Sequence, residues 1–150
     1  MNRIWTPVLA LLSALAVLLV ACQPSEPVAM SDLPLYPGAQ PLAVGENETA
    51  DQILSLLETA LEESTGEGTT IESALYTLPQ GESWESVRAF YERELADAAW
   101  KPASEMEQDR TNFQSAGWAR GKGPQEQALA IFHVSRVIEE ELLVLFLVSE

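Results

Sequence analysis

The amino-acid pattern predicts an α+β domain: an antiparallel sheet of four to five strands with one or two helices packed on one of its faces. Three observations carry this. Two segments, 50–64 and 84–98, space apolar residues three and four apart, which lines one side of a helix. The last third of the chain divides into three strand-length segments, 112–120, 127–137 and 141–149. Strand follows strand there with no helix between, which favours antiparallel pairing and helices segregated to one side.

Taken in order, the chain begins with a leader. Arg3 and the amino terminus form a short positive region ahead of the 13-residue apolar run 8–20 (VLALLSALAVLLV). A spanning helix needs about 20 apolar residues, and Thr6-Pro7 interrupts any upstream extension, so the run fits the apolar centre of a signal peptide over 1–21. It ends in Leu19-Val20-Ala21-Cys22, and Cys22 is the single cysteine of the 150-residue chain.

That ending resembles the lipobox of bacterial lipoproteins: a branched apolar residue three before the cysteine and a small residue just before it. The resemblance implies cleavage after Ala21, a diacylglyceryl group on the Cys22 sulfur and an acyl chain on the new α-amine. Each buried CH₂ contributes about 0.8 kcal/mol, and two or more chains anchor stably where one does not. In Gram-negative lipoproteins an Asp after the cysteine retains the protein at the inner membrane. Gln23 stands there instead, so the expected location is the outer membrane, or the outer face of the cell membrane. The alternative is an uncleaved anchor helix with a buried cysteine.

Residues 23–33 (QPSEPVAMSDL) are rich in Pro, Ser and acid, and read as a flexible tether between Cys22 and a domain over 34–150. Extended at about 3 Å per residue, they would lift that domain about 30 Å from the membrane. Leu33–Ala39 (LPLYPGA) opens the domain with a Pro-Gly turn. Together with Phe90-Tyr91 followed by Leu95, and with Trp100, it resembles small uncharacterised bacterial lipoproteins built on a "YPGA … FYxxxL … W" pattern. That resemblance implies a fold and no activity.

In helix 50–64 the stripe is Ile53, Leu56, Leu57, Ala60 and Leu61, with Thr49 and Gln52 as a capping box and Gly66 as terminator. Glu62 and Glu63 oppose the helix dipole, so this helix depends on packing and is expected as a peripheral addition. Residues 71–78 are a strand closed by Pro79-Gln80-Gly81. Helix 84–98 starts from Ser83 as N-cap and buries Trp84, Val87, Tyr91, Leu95 and Ala98. A short edge strand follows at Trp100-Lys101. Leu142–Val148 (LLVLFLV) is apolar at every position, as in a strand covered on both sides or paired centrally.

Charge narrows the function. After position 21 there are 7 Lys/Arg and 23 Asp/Glu, a net charge of −16. Such a surface repels phosphate backbones, so nucleic acid is not an expected partner. It also repels anionic headgroups, so the lipid rather than a basic patch must hold the chain to its membrane. One cysteine and one histidine, His133, do not make a Cys- or His-rich metal site, and the acid clusters Glu58/Glu62/Glu63 and Glu139/Glu140/Glu141 lack calcium-loop spacing. No metal and no cofactor is expected.

The leading expectation is therefore a non-enzymatic envelope lipoprotein that binds an envelope protein or component. The second is a small-ligand or cation carrier, and the third an enzyme. His133 is expected half-buried or at the surface of its strand, with no nucleophile motif beside it. Trp118, Arg120 and Lys122 are candidate contacts for a ligand or partner, because two cations and three glycines surround an indole in 117–123. The plainer reading is a hairpin turn with a solvent-facing tryptophan.

Overall fold

A computed structural model describes residues 26–135 and 139–150. The expected signal peptide, its cleavage at Ala21 and the lipidated Cys22 lie outside the described residues. The elements are β1 (Gln40–Pro41), α1 (Glu48–Ser64), β2 (Thr70–Leu78), α2 (Trp84–Ala96), β3 (Lys101–Pro102), β4 (Gln108–Arg110), β5 (Phe113–Arg120), β6 (Gln127–Val134) and β7 (Glu141–Ser149). All strands join one antiparallel sheet in the order β1-β2-β7-β6-β5-β3, with β4 also paired to β5.

The α+β class and the antiparallel sheet are as expected, and two details differ. The sheet has seven strands rather than four to five. The additions are β1 and β4, polar pairings of two and three residues that leave no apolar alternation to read. The helices also lie on opposite faces rather than one.

β7 explains the second difference. It sits between β2 and β6, and every residue from Leu142 to Val148 is buried. Successive side chains of a strand point to opposite faces. Leu143, Leu145 and Leu147 pack with Trp84, Val87, Tyr91 and Leu95 of α2. Leu142, Val144 and Phe146 pack with Ala50 and Leu54 of α1. A strand apolar at every position needs a cover on each side, and α1 supplies the second one. The helix is thus part of the core.

Its cap and its stripe differ from expectation too. Asn47, not Thr49, is the N-cap, accepting the Ala50 N–H at 3.1 Å. The inward face is Ala50, Ile53, Leu54, Leu57 and Leu61, while Leu56 is 72% exposed. The helix ends at Thr65 in extended backbone, its N–H donating to the Leu61 carbonyl, so Gly66 is not a left-handed cap. α2 starts as expected, with Ser83 accepting the Ser86 N–H at 3.1 Å.

Residues 28–33 of the expected tether belong to the folded unit. Val28, Met30 and Leu33 pack on the α2 side of the core, and Met30–Asp32 form a 3-10 turn. Val28 exchanges two backbone hydrogen bonds with the Gln127 side chain, each 2.9 Å. The folded unit therefore includes Val28–Leu33. An amide side chain 99 positions away replaces the water that a free tether would bind. Among the described residues no helix is long and apolar enough to cross a membrane.

Candidate functional site

The first turn of α2 and the short strand β4 face each other across an open cleft of about 350 Å³, lined by Trp84, Glu85, Arg88, Glu107, Gln108, Asp109 and Ser115. Local rules put each group there. Ser83 caps the helix, which turns Glu85 and Arg88 outward while Trp84 and Val87 enter the core. Ser115 on β5 is buried and donates its hydroxyl to the Met106 carbonyl at 2.7 Å, holding the Ser104–Met106 turn against the sheet. Glu107 and β4 follow directly from that turn.

Arg88 ties the two walls together. Its Nε donates to Glu92 at 2.8 Å, one helical turn on, and its Nη2 donates to Glu107 across the cleft. The hydrogen bond to Glu92, helped by the charge of Glu107, raises the guanidinium above its ordinary value against a smaller opposing effect of burial. Arg88 is the single cation among these lining residues, against the carboxylates of Glu85, Glu107 and Asp109. Such a site offers carboxylate and amide oxygens to a cationic or strongly hydrogen-bonding group, with the edge of an indole as its apolar floor.

Behind that floor lies His133, which is 3% exposed rather than half-buried. Its ring stacks on Trp84, and its Nδ1 and Nε2 sit 3.2 Å from Gln114 Oε1 and 3.1 Å from Glu141 Oε2. Both nitrogens and one ring face are occupied, so the imidazole cannot meet a substrate from the cleft. Among the described residues no cluster of His, Cys, Asp and Glu is arranged to hold a metal ion.

The contacts expected from the sequence lie elsewhere. Trp118 is 2% exposed and faces Tyr91 in the α2-side core, so it is neither a solvent-facing turn residue nor a surface contact. It belongs to β5, where Ala116 and Trp118 alternate inward. Gly117 does not free its backbone either: its carbonyl accepts the Ala103 N–H at 2.8 Å, and Met106 covers its α-carbon. Arg120 lies over the Trp100 ring and donates to the Glu26 carbonyl, while Lys122 is exposed in the following turn.

Sequence reasoning missed the cleft. The Arg88–Glu92 spacing is legible as a helical pair, but the partner Glu107 comes from a polar stretch without periodicity. No family model, curated protein or solved structure matches the chain.

Proposed function

We propose that this chain is an envelope lipoprotein, anchored through lipid on Cys22 after cleavage at Ala21, whose α+β domain is a non-enzymatic binding module for an envelope protein or component. The anchor is supported by the leader pattern and the lone cysteine, and the location by Gln23. The observation that carries the binding role is the cleft. It is open and polar, and it is bridged by the Arg88–Glu107 pair, which a partner's cationic side chain could enter by exchange for Arg88. Deep apolar pockets suit small hydrophobic ligands; this one suits a basic, hydrogen-bonding segment.

The acid excess at the cleft keeps a second reading, a carrier for a small cationic ligand. Catalysis by His133 is disfavoured by the enclosure of its ring.

A photo-crosslinking residue at Gln108, compared with one at Leu56 on the outer side of α1, tests the binding role in the native membrane. A discrete adduct at 108, absent at 56 and weakened by Asp109→Lys, is the expected result. Equal adducts at both positions, or none, would overturn it. For the anchor, Cys22→Ala should leave the protein as an unprocessed precursor or release it from the membrane fraction; processing and fractionation like the wild type would refute lipidation.

A further inference from the structure

Gln127 is a polar residue, 2% exposed, at the first position of β6. Its side-chain amide is wholly engaged: Oε1 accepts the Val28 N–H, and Nε2 donates to the Val28 carbonyl and, at 3.1 Å, to Ser149 Oγ. This is a strand-like pairing made by one side chain. Close by, Arg120 at the end of β5 donates to the Glu26 carbonyl at 3.3 Å.

From this clamp the chain runs along the α2 side of the sheet. Met30 and Leu33 pack there, and Tyr36 reaches Phe90 and donates its hydroxyl to Glu82. The segment thus leaves the domain at the end marked by Arg120, Gln127 and Ser149. The cleft is at the other end: Trp84 stacks on His133, and Ser115 pairs with Phe132. At about 3.3 Å per residue, β6 places roughly 20 Å between the two ends.

We infer that the domain rides on the membrane in one orientation, with the Arg120–Gln127–Ser149 end against the lipid surface and the acidic cleft facing away from it. This rests on the lipid anchor proposed above. Arg120 holds the Glu26 carbonyl at the clamped end, so four residue steps separate Cys22 from it and span at most about 14 Å, less than the roughly 20 Å between the two ends. A tether that short cannot let the domain roll over while the clamp holds.

The lipid-facing end comprises the turns 65–69 and 121–126. Arg120 and Lys122 lie there with Glu67, Glu126 and Glu150. Contact is therefore imposed by chain length and not by net charge, and the two cations are the groups placed to meet lipid phosphates.

The test uses the mature lipidated protein in phosphatidylcholine vesicles that carry a nitroxide on the lipid headgroup. A fluorophore is attached through Lys122→Cys or, separately, Gln108→Cys. Headgroup quenching should be several-fold stronger at position 122 than at 108. Val28→Pro removes the donor N–H without touching the sheet, where Gln127→Leu would risk the fold, and should bring the ratio toward one. Equal quenching on vesicle-bound protein would overturn the orientation alone. A Val28→Pro protein that keeps the ratio would overturn the clamp as its cause. Protein that does not bind the vesicles would overturn the anchor and the orientation together.

Discussion

The indole of Trp84 lies over the imidazole of His133, the two planes 7° apart with centroids separated by 6.1 Å. Trp84 opens α2 and His133 is on β6, so the pair pins the start of the helix to the sheet. Glu141, the first residue of β7, and Gln114 on β5 hold the ring edge from either side. His133→Ala should therefore remove the stacking and leave two half-buried polar partners unsatisfied. The expected loss is about 2–4 kcal/mol, measured by urea unfolding. A loss below about 1 kcal/mol would mean the ring is not structural, and would reopen a chemical role for it.

Two tyrosines on the α2 side should respond oppositely to loss of their hydroxyls. Tyr91 is fully buried and, among the described residues, its hydroxyl has no hydrogen-bond partner. Burial pushes its phenol well above the ordinary value, slightly offset by the backbone of Tyr36, which lies near without forming a well-made bond. Tyr36 instead donates to Glu82 at 2.6 Å. An unsatisfied buried hydroxyl costs about 1–3 kcal/mol, whereas a made bond contributes about 1. Tyr91→Phe should thus leave stability unchanged or raise it by about 1 kcal/mol, while Tyr36→Phe should lower it by about the same amount. Parallel losses in the two variants would contradict this assignment.

Tyr36 also predicts an alkaline limit. Burial first, then the hydrogen bond to Glu82 and the charge of that carboxylate, push its phenol up to about 12 from the ordinary 10.0. A group that holds its proton more tightly when folded contributes stability that is complete below its unfolded value and is lost as pH rises through its folded one. Stability should therefore fall between about pH 10 and 12. In Tyr36→Phe the fall over that window should be shallower, as read from urea midpoints at stepped pH; an unchanged slope would remove Tyr36 as its source.

What could be read in advance follows from what leaves a periodic trace. The run LLVLFLV announced a central strand, and the 3-4 stripe with Ser83 announced α2. The consequence of that run, a helix on each face, follows only when the strand's parity is followed through to Ala50 and Leu54. Trp118 misled because its flanking glycines suggest a turn, yet Gly117 is small for Met106 and not for bending. The cleft and the Val28–Gln127 clamp rest on single polar contacts between distant segments, which no local pattern encodes.

Gly117 offers the sharpest test of that last point. It is a central residue of β5 with ordinary strand backbone, and a β-carbon there would overlap Met106 at its Sδ, Cγ and Cβ. Alanine is otherwise preferred to glycine within a strand by about 0.5–1 kcal/mol. Overpacking of this kind costs about 1–3 kcal/mol, so the net effect of Gly117→Ala should be a loss of about 1–2 kcal/mol. Met106→Ala removes two of the three overlapping atoms, so the double variant should be less destabilised than the two single losses combined. Because Met106 precedes Glu107, Gly117→Ala should also push the outer wall of the cleft away from Arg88. Faster hydrogen exchange over 106–110, with α1 unchanged, would report that displacement; exchange that stays at the wild-type rate would show that the wall absorbs the added methyl.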